Sequence, residues 1–243
     1  MQGIEKIFHE WSFIRIHFGE GTINQVGDAV KRYSDNVLVV IGGGSVKTNG
    51  VLNRIIKLLD QASIRYQVCE GVEPNPSKET VYRIAYHLLA GNFTCLLAVG
   101  GGSVIDAAKA AGILAKVKQG ELDDYFGVGM VSKKTERSMD LVAVPTTSGS
   151  GSEVTRFSVI TDPGLGVKKL MIDGAIAPNE AIVDPELTYS CSKRVTLVSG
   201  LDAMTHLVEG YLNTVDDAAD PGTNHRARTG LSLLFEALPK IMR

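Results

Sequence analysis

The chain has 243 residues, of which 44% are hydrophobic and 21% are charged, and its formal net charge is −2. This length suffices for one large domain, or for one domain and part of a second. The near-neutral charge argues against a nucleic-acid or anionic-membrane partner, and no long apolar run predicts a membrane span. The amino terminus does not resemble a signal peptide, and the three cysteines are isolated. We therefore expect a cytoplasmic protein without a disulfide framework.

Short apolar runs alternate with helical patterns in the first half of the chain. In chain order they predict a strand over residues 37–41, a helix over 51–61, a strand over 64–68, a helix capped by Ser77, a strand over 94–99 and a helix over 105–114. Strands that alternate with helices are typical of βαβ units and a parallel sheet. Ligands of such sheets bind beyond the carboxyl ends of the strands.

In the second half of the chain, strand signals continue up to about residue 187 and helical patterns follow. Residues 117–140 are expected to form a loop with a short helix, and residues 141–144 predict another strand. Residues 157–161 and 167–172 predict a small antiparallel pair around a turn at Asp162, Pro163 and Gly164. Only helical patterns follow, so we predict an α/β domain over residues 1–187 and the start of an all-helical domain over residues 188–243.

A glycine triplet followed by serine occurs directly after two of the predicted strands. The two groups are Gly42, Gly43, Gly44 and Ser45, and Gly100, Gly101, Gly102 and Ser103. Either group can be a tight turn between a strand and a helix, or a loop whose backbone approaches a phosphate. Two such groups at one edge of a sheet favour the phosphate interpretation. Neither group fits the common dinucleotide or nucleotide-triphosphate motifs.

Two further segments are candidates for ligand contact. Residues 145–153 are rich in hydroxyl groups and glycine, which is typical of a loop around a ligand or of a polar surface loop. Asp202 and His206 are four residues apart and would share one face of a helix. A carboxylate and an imidazole at that spacing can bind a divalent metal, although such a pair is more often a surface hydrogen bond.

These motifs, in this order and spacing, resemble the iron-containing (group III) alcohol dehydrogenase family and its butanol-dehydrogenase-like branch. The residues that carry the resemblance are Val-Gly-Gly-Gly-Ser-Val-Ile-Asp at 99–106, Pro-Thr-Thr-Ser-Gly-Ser-Gly-Ser-Glu-Val-Thr at 145–155, and Gly-Leu-Asp-Ala-Met-Thr-His at 200–206. Val-Glu-Pro-Asn-Pro at 72–76, with Asn75, resembles the family's loop near the nicotinamide. The similarity covers nearly the whole chain.

The resemblance implies a Rossmann-like domain that binds NAD(P) and a helical domain that binds a metal. Gly100, Gly101, Gly102 and Ser103 would hold the pyrophosphate, with Asp106 as support for that loop. The other implied cofactor contacts are Thr146, Thr147, Ser150 and Lys168. Asp202 and His206 would be two of four ligands of Fe²⁺, or of Zn²⁺, and the metal would polarise the oxygen of a small primary alcohol or aldehyde during hydride transfer.

The loop at residues 42–45 bears on cofactor choice. The resemblance implies a comparison with members of the family that prefer NAD, many of which carry an aspartate at the end of this strand. The carboxylate of that aspartate would repel the 2′-phosphate of NADP. Glycines and Ser45 occupy the position here, and Lys47 is nearby. The resemblance therefore modestly favours NADP over NAD.

Members of the family are much longer than this chain, and their two remaining metal ligands are histidines further downstream. His225 comes too early to match either one, so we expect it to be a solvated helix residue. The apolar stripe of Leu231, Leu234, Phe235 and Leu238 predicts a face that needs further helices or a second subunit. We therefore expect a homo-oligomer. The alternative is a dinucleotide-binding fragment or remnant without turnover, because its metal site is incomplete.

Overall fold

The main sheet consists of six parallel strands. The structure is a computed structural model that describes residues 14–212 and 221–242. The strands are β1 (Arg15–Phe18), β2 (Asn36–Gly42), β3 (Arg65–Val72), β4 (Cys95–Gly100), β6 (Asp140–Pro145) and β9 (Glu180–Val183). Their spatial order is β1-β9-β6-β4-β2-β3. The predicted α/β class with a parallel sheet is confirmed.

Helices cover both faces of this sheet. They are α1 (Val26–Lys31), α2 (Ser45–Thr48), α3 (Val51–Gln61), α4 (Lys78–Ala90) and α5 (Gly102–Val117). Because strand side chains alternate between faces, Val37 and Val39 pack with the cluster that contains α1 and α3, whereas Leu38 packs with α4 and α5. Burial of each such aliphatic side chain stabilises the fold by about 2 kcal/mol.

The local signals of the sequence place two helices accurately. Helix α3 has the predicted bounds, and its apolar stripe is buried. Ser77 caps α4 as predicted, since its hydroxyl oxygen accepts a hydrogen bond from the backbone N–H of Thr80 at 3.3 Å. Helix α5 begins at Gly102, earlier than the apolar pattern predicts. Its first turn therefore includes part of the second glycine group.

A second, smaller sheet is formed by three strands that all follow β4 in the sequence. It contains β5 (Gly127–Val128), β8 (Val167–Ile172) and β7 (Phe157–Asp162), in that spatial order. Strands β7 and β8 are antiparallel, which confirms the predicted pair. The predicted short helix in residues 117–140 is a 3₁₀ helix over Leu122–Tyr125.

Strands β1 and β9 form a parallel pair that the sequence patterns did not predict. The side chain of Glu180, at the start of β9, is fully buried. Its carboxylate accepts hydrogen bonds from Arg32 Nε at 2.6 Å and Tyr33 Oη at 2.9 Å, and it lies 2.8 Å from His17 Nε2. Burial raises the pKa of Glu180, but hydrogen bonds from Arg32, His17 and Tyr33 outweigh burial, so the pKa is lowered overall.

Contacts divide the chain into two units. The first contains the described residues up to Thr146 together with Ser152–Leu187, and the second contains Thr147–Gly151 and the described residues from Thr188 onward. The assignment of residues 1–187 and 188–243 to a dinucleotide-binding and a metal-binding domain remains a prediction.

The second unit consists mainly of α6 (Lys193–Leu212) and α7 (Pro221–Met242). Leu238 is buried against α6, where a Cβ atom on Gly200 would lie 2.9 Å from its side chain. Part of the predicted apolar face of α7 therefore has its partner within the chain, whereas Phe235 is 65% exposed. Within residues 14–212 and 221–242, each helix is too short or too polar to cross a membrane.

Candidate functional site

The two glycine groups lie side by side at the carboxyl edge of the main sheet. Strands β2 and β4 are neighbours and both end at this edge. The side chain of Val104 lies beside both groups, because a Cβ atom would come within 3.5 Å of it on Gly42 and within 2.6 Å on Gly100. The absence of a side chain at Gly100 is what lets Val104 approach so closely, whereas the 3.5 Å at Gly42 is an ordinary van der Waals distance. The sheet thus brings together two segments that are far apart in the sequence.

The second glycine group forms the amino-terminal end of α5. Gly101 is the N-cap residue, with φ −76° and ψ −179°, and no side chain caps the first turn. The first N–H groups of an α-helix have no partner within the helix, and the helix dipole adds positive potential there. Because Gly101 brings no capping oxygen, this helix end can accept a phosphate oxygen instead.

The loop that follows β3 reaches the same helix end. The backbone N–H of Asn75 donates to the hydroxyl of Ser103 at 3.2 Å. Asn75 adopts φ 55°, a conformation that asparagine tolerates better than most residues. Glu73 fixes the loop, since its carboxylate accepts from the backbone N–H of Ser77 and from the hydroxyl of Thr80, each at 2.7 Å.

Lys168 lies on the small sheet, on the side that faces this loop. It is directly opposite Thr161 in the antiparallel pair, so the two side chains share one face. The hydroxyl of Thr161 donates to the carbonyl oxygen of Asn75 at 3.1 Å. The exposed Lys168 ammonium is therefore placed on the Asn75 side of the hairpin. The next residue, Lys169, faces the other way and pairs with Asp162 at 3.0 Å.

Ion pairs hold this hairpin against the rest of the first unit. Asp162 also pairs with Lys78 of α4 at 3.2 Å, and both lysines pair with Asp123. The hydrogen bond from Lys169, together with that from Lys78, lowers the pKa of Asp162 to about 2. The position of Lys168 thus depends on these charged contacts.

The end of β6 completes the edge. The backbone N–H of Thr146 donates to the carbonyl oxygen of Gly100 at 3.0 Å, and the Thr146 side chain is buried. The first unit therefore gathers at one edge most of the predicted cofactor residues, which are Gly42, Gly43, Gly44, Ser45, Asn75, Gly100, Gly101, Gly102, Ser103, Asp106, Thr146 and Lys168.

Asp106 is directed to the segment that follows the hydroxyl-rich loop. Its carboxylate accepts from the hydroxyl of Ser152 and from the backbone N–H of Val159, the latter at 3.0 Å. Burial raises the pKa of Asp106, although nearby Lys109 and these hydrogen bonds oppose the rise. Asp106 thus connects the amino-terminal part of α5 to the chain beyond residue 151.

Lys109 is a buried residue of this region that the sequence analysis missed. Its ammonium donates to the carbonyl oxygens of Ser152, Thr155 and Phe157, at 2.6, 3.0 and 2.8 Å. Burial lowers the pKa of Lys109 to about 8, so the group remains mostly protonated at neutral pH. The available signal was a lysine within an otherwise apolar, alanine-rich helix, three residues after Asp106.

The second unit contains the remaining predicted residues. Thr147 and Ser150 belong to Thr147–Gly151, a segment that packs with α6. A Cβ atom on Gly149 would lie only 2.5 Å from the carbonyl oxygen of Ser199. Gly149 therefore allows the backbone of its loop to approach the backbone of α6 closely.

Asp202 and His206 lie on α6, one turn apart and both about half-exposed. Asp202 Oδ1 and His206 Nε2 are separated by 4.0 Å. A carboxylate oxygen and an imidazole nitrogen on one helix face fit two ligand positions of a divalent metal. No group of three or more potential metal ligands occurs among the residues that the structure describes. His225 is exposed on α7, as expected.

A surface cleft of about 380 Å³ lies elsewhere, beside the ends of α4 and α5 that are remote from the glycine loops. Its lining includes Leu88, Phe93, Thr94, Ala115 and Met139. Thr94 immediately precedes β4, so the cleft is at the amino edge of the sheet. Ligands of parallel sheets bind at the opposite edge, and the glycine loops remain the better candidate.

The fold and the glycine loops define an α/β protein with a candidate phosphate-binding site at the carboxyl edge of its parallel sheet. The sequence profile "Iron-containing alcohol dehydrogenase" matches residues 14–185. The chain therefore belongs to the iron-containing alcohol dehydrogenase family, as its motifs indicated.

Curated relatives with different cofactors are similar to the chain. The NADPH-dependent butanol dehydrogenase of Clostridium saccharobutylicum is 35% identical over 93% of the chain and 56% of the relative. The NAD-dependent methanol dehydrogenase of Bacillus methanolicus is 33% identical over 91% of the chain and 56% of the relative. The chain thus spans about half the length of these curated relatives.

Solved structures agree with this assignment. A crystal structure of an iron-containing alcohol dehydrogenase from Thermotoga maritima matches with a TM-score of 0.86 and 34% identity, over 96% of this chain and 62% of that one. A sulfoacetaldehyde reductase from Bifidobacterium kashiwanohense, solved with NAD⁺, matches with a TM-score of 0.82 and 29% identity, over 95% and 59% of the two chains.

Proposed function

We propose that the protein transfers a hydride between a nicotinamide dinucleotide and a small primary alcohol or its aldehyde. The observation that carries this proposal is the pair of glycine loops at neighbouring strand ends, one of which begins α5 without a capping side chain. Membership of the family supplies the reaction class. The chain's own contribution is to bind and orient the dinucleotide.

In this proposal the cofactor lies along the carboxyl edge of the first unit. The first turn of α5, with Ser103, binds the pyrophosphate, and Asn75 and Lys168 contact the cofactor from the loop and hairpin beside it. Thr146, Thr147 and Ser150 contact its adenosine and phosphate side. The loop at residues 42–45 carries no carboxylate, which supports acceptance of NADP(H) as well as NAD(H), with a modest preference for NADP(H).

Asp202 and His206 are proposed as two ligands of Fe²⁺ or Zn²⁺. Both ions accept oxygen and nitrogen ligands, so the pair does not select between them. A bound divalent metal would act as a Lewis acid on the alcohol oxygen. The role of the two side chains is to hold that ion on one face of α6.

The test is to measure metal content and activity in parallel. Protein loaded with Fe²⁺ or Zn²⁺ is assayed with NADPH and NADH on a panel of aldehydes. We expect His206→Ala to lose bound metal and turnover, whereas His225→Ala, an exposed histidine in the same unit, keeps both. Equal metal content and activity in the two variants would contradict the assignment of His206.

A second candidate function is dinucleotide binding without turnover. It is favoured by the finding that Asp202 and His206 are two ligands at most, since no group of three or more potential metal ligands occurs among the described residues. Dinucleotide binding together with a complete lack of aldehyde reduction after metal loading would select this alternative. The expected homo-oligomer also remains a prediction, which the exposed Leu201 and Leu233 of α6 and α7 support.

A further inference from the structure

An irregularity in the sheet redirects the end of β3. Val40 pairs with Cys69, but Gly42 pairs with Val72, so β3 contains one residue more than β2 over this stretch. Gly71 adopts φ 84°, which accommodates the bulge. Bulges of this kind re-aim side chains and are common near functional sites.

A helix side chain fixes this bulge. Arg83 of α4 donates to the carbonyl oxygens of Glu70 and Gly71, at 2.7 and 3.3 Å. The backbone around Glu70 is therefore held from outside the sheet. These contacts of Arg83 therefore fix the direction in which the Glu70 side chain leaves the strand.

The carboxylate of Glu70 forms an ion pair with the ammonium of Lys47. Lys47 lies in α2, two residues after Ser45 and the first glycine group. The side chains of Lys47 and Glu70 are 45% and 57% exposed, so solvent and ligands reach both. A Cβ atom on Gly43 or Gly44 would meet no atom within 4 Å, so the loop beside the pair is open.

We propose that Glu70 is a specificity-determining residue that restrains the protein's preference for NADP(H). This inference rests on the proposed binding of a dinucleotide with its adenosine ribose beside the loop at residues 42–45. A 2′-phosphate would have to displace Glu70 from Lys47 and would lie near a like-charged carboxylate. A 2′-hydroxyl can instead donate to that carboxylate, as it does to acidic residues in other dinucleotide sites.

Binding titrations of the whole chain with NADP⁺ and with NAD⁺ test the proposal. Glu70→Gln keeps the size of the side chain and removes its charge. We expect the ratio of NADP⁺ to NAD⁺ affinity to rise about tenfold in this variant, as one nearby like charge is removed. Lys47→Gln should lower the ratio, and the double variant should have a higher ratio than Lys47→Gln, because removal of the Glu70 charge also removes its direct repulsion of the phosphate.

The matched control is Asp35→Asn, which makes the same change in net charge. Asp35 pairs with Arg65 at 3.9 Å and lies at the amino edge of the sheet. It should leave the affinity ratio unchanged. An unchanged ratio in Glu70→Gln, with both dinucleotides still bound, would overturn the role of Glu70. Failure of the wild-type chain to bind either dinucleotide would instead overturn the proposed function, and the inference with it.

Discussion

Asp106 and Lys109 stand three residues apart on α5 and share one hydroxyl group, that of Ser152. The hydroxyl donates to the Asp106 carboxylate, and its oxygen accepts from Lys109 Nζ at 3.2 Å. Helix α5, which begins at the second glycine group, is thereby held against the chain beyond the hydroxyl-rich loop. Lys109 is buried and Asp106 is half-buried, so the arrangement depends on complete hydrogen bonding.

Removal of the buried ammonium should destabilise the protein strongly. Lys109→Met leaves three carbonyl oxygens without their donor and Asp106 without a nearby positive charge. We expect a loss of about 3 kcal/mol in the free energy of unfolding, measured by urea denaturation. Lys116→Met, an exposed lysine on the same helix, is the control and should change it by less than about 0.5 kcal/mol. Equal effects of the two substitutions would refute the structural role of Lys109.

Removal of the buried carboxylate of Glu180 should lower the free energy of unfolding by a similar amount. Glu180→Ala removes the acceptor shared by Arg32, Tyr33 and His17. We expect a loss of about 3 kcal/mol in unfolding free energy, because the partners lose their buried counter-charge. The control is Glu186→Ala, since the side chain of Glu186 forms an exposed pair with Arg54 at 3.7 Å; it should cost about 0.5 kcal/mol or less. If both variants unfold at the same urea concentration, the Glu180 cluster does not stabilise β1 and β9.

Acid should weaken the ion pairs of the hairpin that carries Lys168. Hydrogen bonds from Lys169 and Lys78 lower the pKa of Asp162 to about 2, below its ordinary value of 3.8. The folded state therefore binds fewer protons than the unfolded state between these values, and this stabilisation is lost as pH falls from about 4 to 2. We expect Asp162→Asn to be less stable than wild type at pH 6, with a difference that shrinks below about pH 4. A difference in urea midpoint that stays constant with pH would count against the pairing.

A methyl group on Gly149 should disturb the second unit. It would collide with the carbonyl oxygen of Ser199, which is backbone and cannot rotate away. We expect Gly149→Ala to lower the free energy of unfolding by about 2 kcal/mol, observed as a lower thermal midpoint. Gly210→Ala on α6 is the control, because a Cβ atom there meets nothing within 4 Å. That change should be neutral or slightly stabilising, given the higher helix propensity of alanine.

Local signals in the sequence predicted those parts of the fold that local physics decides. The periodic stripe of α3, the cap at Ser77 and the glycines after β2 and β4 all depend on neighbours within a few residues. The pairing of β1 with β9 could not be predicted, because both strands are short and meet across more than 150 residues. The same holds for the Lys47–Glu70 pair, which depends on a bulge in the register between two strands.

For the candidate site, residue types predicted which segments gather at the sheet edge, but not what Lys109 and Asp106 contact. Those contacts come from the return of residues 152–159 to α5, a long-range event without a local signal. For the candidate metal site, the sequence predicts the position of the two side chains but not whether they bind a metal. The spacing of Asp202 and His206 predicts a shared helix face, and the structure places them on one, but their role as ligands stays a prediction.

The most direct test of dinucleotide binding compares Gly101→Asp with Gly101→Asn. Gly101 is an N-cap residue with φ −76°, a position where both side chains are favourable, and the two differ only in charge. Calorimetric titration with NADP⁺ should show at least about tenfold weaker binding for Gly101→Asp, because its carboxylate would repel the pyrophosphate at the start of α5. Binding by Gly101→Asp that is as tight as binding by the wild-type chain, with an equally stable fold, would contradict the assignment of this loop to the pyrophosphate.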